Sequence, residues 1–338
     1  MKSLFKHLIY IIVLSTAASC TQAPAYRTME GGVWNTTFHI TYRSATPLDD
    51  SVRAVMRQVE MSLSPFNDSS LISLINTNRS MKPDSLVSRI LLASQDVNRH
   101  SGGAFDPTVA PLINLWGFGY RNSGIEPTQE AIDSALMLVG ITDCTLSPSG
   151  DIIKKSPETE FNFSAITKGY GCDLVGEMLR RNGCEDYMVE IGGEIALSGV
   201  NPRGKEWRIM VDAPIDNDTS VVHSRMAVIE PGTGGVATSG NYRNFRRTAE
   251  GRVWHTISPA TGRPAHTDLL SATVIAPNAM LADAYATACM AMTCDSAVIM
   301  LAGVPDVEAL LVTVDTIQSP DSLPFVITTT PGFPKISR

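Results

Sequence analysis

The stretch Ala282-Asp283-Ala284-Tyr285-Ala286-Thr287-Ala288 constrains the fold of this chain more than any other. Alanines dominate it and neither Gly nor Pro interrupts it, so it reads as part of a helix over residues 280–292. Asp283 and Thr287 stand four apart, which places a carboxylate and a hydroxyl on one face of an otherwise apolar helix. Two readings are open at this point. One is an exposed Asp beside a Thr bonded back to its own helix. The other is a hard, all-oxygen pair of the kind that suits Mg²⁺, an ion that usually works on phosphates.

At 338 residues the chain is long enough for one large domain or two small ones. Its 43% apolar and 18% charged residues are those of an ordinary globular protein. The net charge is −7 with no Lys/Arg run, which argues against nucleic acid as a partner. At the N-terminus, Lys2 and Lys6 precede an apolar stretch, Leu8 to Ala18, too short to span a bilayer as a helix. Ala17-Ala18-Ser19-Cys20 follows, small residues before a cysteine. The pattern resembles a bacterial lipoprotein signal, with residues 1–19 removed, Cys20 lipidated and residues 20–30 a tether. An ordinary secretory signal cut at the same small residues is the alternative. Either way the protein is exported, and the anchored form is expected to face the periplasm from the inner membrane. Removing residues 1–19 takes away Lys2 and Lys6 and leaves 25 basic against 34 acidic residues, a balance of −9.

Five further cysteines, Cys144, Cys172, Cys184, Cys289 and Cys294, show no CxxC and no zinc-site spacing. Buried free thiols are the expectation for most of them. Period-two alternation predicts strands at residues 36–42, 187–191, 207–212, 226–229, 253–257, 271–275, 310–314 and 325–329. Helical spacing predicts helices at 50–61, 84–100, 128–139, 167–181, 280–292 and 295–302. No long linker, repeat or low-complexity tract interrupts them. The order is no regular βα alternation and fits a single α+β domain over residues 31–330, with mixed or antiparallel sheets packed with helices. An irregular tail at 331–338 closes the chain.

Four segments carry chemistry. Gly102-Gly103-Ala104-Phe105-Asp106-Pro107-Thr108 ends a helix in a compact turn, either a backbone approach to a ligand or a plain Asp-Pro turn. Asn162-Phe163-Ser164-Ala165-Ile166-Thr167-Lys168-Gly169-Tyr170 leads from an extended segment into a helix start, either a phosphate site or a capped helix. Glu190-Ile191-Gly192-Gly193-Glu194 leaves a strand through two glycines but lacks GxGxxG spacing, so it licenses no Rossmann reading. His255 opens His255-Thr256-Ile257-Ser258-Pro259-Ala260-Thr261-Gly262 as a base, an acceptor for ribose hydroxyls, or an edge-strand histidine.

In this order these segments resemble the ApbE family of FAD-dependent FMN transferases. Leu63-Ser64-Pro65-Phe66-Asn67, Asn114-Leu115-Trp116-Gly117-Phe118-Gly119 and Ala237-Thr238-Ser239-Gly240-Asn241-Tyr242-Arg243-Asn244 extend the match from about Gly31 to about Thr329. The resemblance implies Mg²⁺ held by Asp283, Thr287 and the carbonyl of Ala165. It implies a flavin ring beside Phe66, an FAD site lined by Ala104, Phe105 and Asp106, and further FAD contacts at Trp34, Asn162, Lys168 and Ile257. His255 is the candidate for proton transfer. The implied reaction moves FMN from FAD to a threonine of an acceptor flavoprotein, with release of AMP. The acceptor class is a subunit of an ion-pumping NADH:quinone or ferredoxin oxidoreductase. Water in place of threonine would make the protein an FAD pyrophosphatase, and a site without turnover an exported flavin-binding lipoprotein. Asn35, Asn162 and Asn241 depart from the family pattern, which has Gly at the first position and Asp at the other two. The last departure removes a carboxylate from a loop near the metal.

Overall fold

The structure, a computed structural model, describes residues 23–119, 126–214, 225–241, 245–248, 251–314 and 325–337. Cys20 and residues 1–19 lie outside the described residues, as do Tyr242, Arg243 and Asn244. Eight strands form one sheet, in the spatial order Ala25–Val33, Thr36–Ser44, Tyr187–Ile191, Glu194–Ser198, Gly234–Gly240, Leu269–Ala276, Glu308–Val314 and Phe325–Thr329. Every neighbouring pair is antiparallel. Helices Ser164–Arg181 and Ala279–Met290 pack on each other and on one face of this sheet. Alternation along the strands supplies both faces with apolar groups. Val189, Ile191 and Ala196 join the helices in one core, while Ile195, Leu197, Val236, Leu310 and Val312 point the other way. A small sheet of Ile209–Asp212 and Arg225–Ile229 covers that second face through Ile209, Val211, Ala227 and Ile229. The result is the expected α+β architecture, with the large sheet between helices and a two-stranded cover.

Several boundaries differ from the sequence reading. Ala25–Val33 begins inside the segment assigned to the tether, because all nine of its residues pair in register with Thr36–Ser44 and Met29 enters the core. Trp34 and Asn35 make the connecting turn with φ of +47° and +60°. Positive φ at both central residues is the backbone of the favoured two-residue hairpin, and Asn tolerates it nearly as well as Gly. The tail is irregular but docked: Ser337 and Val228 exchange both backbone hydrogen bonds, and Phe333 and Ile336 pack on the second-face core. The helix expected at 167–181 starts earlier, at Ser164. The strand expected at 253–257 is Gly251–Trp254, so His255 stands just beyond its end. All five cysteines among the described residues are free and buried.

Candidate functional site

Gly169 sets how closely the two principal helices meet. A Cβ there would lie 2.1 Å from the Ala279 carbonyl oxygen, so only glycine permits this approach. The contact brings the first turn of Ser164–Arg181, with Ala165, against the face of Ala279–Met290 that carries Asp283 and Thr287. The register is held by Asp173, whose carboxylate accepts the Ala279 and Met280 N–H groups at 2.9 and 2.8 Å. Those two N–H groups open the helix and have no intrahelical acceptor. Burial pushes the Asp173 carboxyl up to about 7, against the pull of these two donors.

A cleft of about 640 Å³ opens over this helix pair, within the usual size of small-molecule sites. Phe66, Ala104, Phe105, Asp106, Asn162, Ala165, Lys168, His255, Ile257, Asp283 and Thr287 all line it, eleven residues drawn from five separate stretches of sequence. Phe66 stands at 61% exposure, which excludes a core role. Phe118 meets the His255 ring edge-on at 6.5 Å. The turn after His255 is braced from behind, where the Trp116 indole donates to the Gly262 carbonyl at 2.8 Å.

One expected lining residue is absent, and two others are also bonded within the protein. Trp34 does not line the cleft; its indole lies over Gly171, where a Cβ would come within 2.5 Å of the ring, so it packs on the long helix instead. Asp106 reaches the wall, but its carboxylate is used by the protein. One oxygen accepts from the Thr108 N–H and hydroxyl at 2.8 and 2.6 Å, the other from the Ile141 N–H and the Asn98 amide at 3.0 and 3.4 Å. Burial raises its carboxyl against those donors. Asn162 likewise spends its side-chain oxygen on the Ser164 N–H at the helix entrance, at 3.0 Å.

The floor of the cleft is ionic. Asp283 is 2% exposed and accepts the Gly169 N–H at 3.0 Å. In a regular helix that N–H closes on the carbonyl four residues back, here Ala165. Lys168 sends its ammonium between two carboxylates, 3.0 Å from Glu194 and 3.9 Å from Asp283. Burial opposes the charge on Lys168, but Asp283 and Glu194 together outweigh it and raise its pKa. Burial also raises Asp283, against Lys168 and the Gly169 N–H, and pushes Glu194 up to about 8, against Lys168. The Thr287 and Ser239 hydroxyls lie 3.5 Å apart beside this floor. Glu194 carried no assigned role in the sequence. The signal for it was register: across the two-glycine turn it pairs with inward-facing Ile191, so period two turns it inward too.

The chain as a whole has close relatives. The model of the ApbE family matches residues 34–311. The chain is 34% identical over 295 residues to the FAD:protein FMN transferase of Vibrio cholerae, covering 84% of this chain and 87% of that protein. It is 31% identical over 260 residues to the Escherichia coli protein of the same name, covering 75% and 73%. Flavin transferase ApbE from Vibrio cholerae superposes with a TM-score of 0.78 at 30% identity, covering 92% of this chain and 98% of that one. The apo form of Pseudomonas stutzeri flavinyl transferase ApbE superposes with a TM-score of 0.78 at 28% identity, covering 91% and 95%.

Proposed function

The chain belongs to the ApbE family, and from that premise we propose that this cleft carries out FAD:protein FMN transfer. The chain is an enzyme of flavin transfer. In the reaction we infer, a threonine hydroxyl of an acceptor flavoprotein attacks the FMN-side phosphorus of FAD. A threonine O–P bond forms, the bond from that phosphorus to the bridging oxygen breaks, and AMP leaves with the oxygen. The acceptor is inferred to be a subunit of an ion-pumping NADH:quinone or ferredoxin oxidoreductase. The protein is inferred to be held at the periplasmic face of the inner membrane by a lipid on Cys20.

The observation that carries this reading is the convergence of Asp283, Thr287 and Ala165 on the same cleft as the exposed Phe66 ring. The donor set fits Mg²⁺: a buried carboxylate, a hydroxyl and a main-chain carbonyl are all hard oxygens. Mg²⁺ held there would neutralise pyrophosphate charge and orient the phosphorus. Phe66 offers a face for the isoalloxazine at the cleft wall. His255 lines the cleft, and in this reading it takes the threonine proton. Incubation with FAD, Mg²⁺ and an acceptor domain tests the reading. Flavin fluorescence covalently retained on the acceptor is the expected result. Release of free FMN alone would mean hydrolysis, and unchanged FAD would mean binding only.

A further inference from the structure

Two buried carboxylates and one ammonium share the floor of the cleft. Asp283 and Glu194 are fixed: their side chains are 2% and 6% exposed. Lys168 is not; its side chain is 31% exposed and long enough to swing. Its stem passes Gly192, where a Cβ would come within 3.2 Å of the Lys168 Cδ, so the turn itself leaves the lysine its path. The ammonium is held by one oxygen of Glu194 at 3.0 Å and sits at a looser 3.9 Å from Asp283. The other oxygen, Glu194 Oε2, is buried and has no hydrogen-bond partner among the described residues. A buried carboxylate oxygen with no donor is costly, and an ammonium has three donors to offer.

We propose that Lys168 is a tethered counter-ion. In the metal-free protein its ammonium takes the place of the cation beside Asp283, and a divalent ion displaces it onto Glu194, whose second oxygen receives it. The inference rests on the reading of Asp283 as a metal ligand. A divalent ion and an ammonium within a few ångströms repel strongly at low dielectric, so one of them must yield, and only the lysine can move. Glu194 serves as the receiving group and touches no metal; it is a positioning residue. The charge of the floor is thereby kept compensated with and without the ion.

Mn²⁺ titration of the intact protein, followed by electron paramagnetic resonance without FAD, tests this. Lys168→Gln removes the competitor and is expected to bind Mn²⁺ about tenfold tighter than wild type, with a lower melting temperature of the metal-free protein. Glu194→Gln removes the receiving group and is expected to bind about tenfold more weakly. In the Lys168→Gln background, Glu194→Gln should change affinity by less than about threefold, a non-additivity that simple loss of negative charge would not produce. Equal or weaker binding by Lys168→Gln overturns the proposal. Should that variant fail to fold, equal or tighter binding by Glu194→Gln overturns it alone. Asp283→Asn separates the two levels: wild-type Mn²⁺ binding by that variant means the metal reading itself is wrong, whatever Lys168 and Glu194 do.

Discussion

Phe66 and Asp283 show how differently two site residues depend on their surroundings. Phe66 is exposed on the cleft wall. Stacking of an aromatic on a flat ring adds ~0.5–1.5 kcal/mol beyond burial, so Phe66→Ala is expected to weaken FAD binding about threefold to tenfold. The melting temperature of the FAD-free protein should change little. Fluorescence titration with FAD and a thermal melt check both halves, and unchanged affinity with a large drop in melting temperature would place the isoalloxazine elsewhere. Asp283 is tied into the protein through Gly169 and Lys168. Asp283→Ala should abolish Mg²⁺-dependent turnover. It should also cost about 1–3 kcal/mol of stability, since a buried N–H loses its acceptor. Turnover at wild-type rate and ordinary Mg²⁺ in this variant would remove Asp283 from the metal site. Asp283 was legible locally as one of two open readings, a carboxylate four residues from a hydroxyl, whereas Phe66 was singled out through the family resemblance. Glu194 was not legible, because its direction depends on a turn register that no local pattern announces.

At the scale of elements, the site is a register between two helices, and Asp173 sets it. Its folded-state pKa of about 7 lies above the unfolded value near 4. The sign follows: the contribution is fully present below pH ~4 and is lost as pH rises through about 7. Glu194, at about 8, extends the same downward slope. Asp173→Asn is therefore expected to flatten stability between pH 5 and 7.5 without abolishing the slope, as urea unfolding at the two pH values would show. An unchanged slope would mean that Asp173 does not titrate in this window. Ser85–His100 was readable because it has a buried stripe at helical spacing, and Ala279–Met290, buried nearly all round, because alanines dominate it with no Gly or Pro. The strand Ala25–Val33 was not, because at the sheet edge only Met29 among its nine residues is buried, and its sequence looks like a polar tether. Gly234–Gly240 was missed for the opposite reason: five glycine or small residues suit a central strand here because a helix presses on it, with Ala279 N 2.1 Å from where a Gly235 Cβ would stand.

At the scale of the whole molecule, the first strand bears on where the enzyme works. Only Thr21, Gln22, Ala23 and Pro24 separate Cys20 from Ala25, the first residue of the sheet. Four extended residues reach at most about 14 Å. A domain on so short a leash would lie against the bilayer, and its acceptor threonine would have to present itself close to the membrane surface. Electrostatics would not hold it there: with residues 1–19 removed the chain would have 25 basic and 34 acidic residues, and an anionic membrane would repel such a domain. The lipid would supply the attachment. Fractionation should therefore find the wild-type protein in membranes, resistant to release by high salt, and solubilised by detergent. Cys20→Ser should appear as an unprocessed precursor or in the soluble periplasmic fraction. A wild-type protein found wholly soluble, with an unmodified Cys20, would mean that the N-terminal segment is a plain secretory signal and that the cleft works free of the membrane.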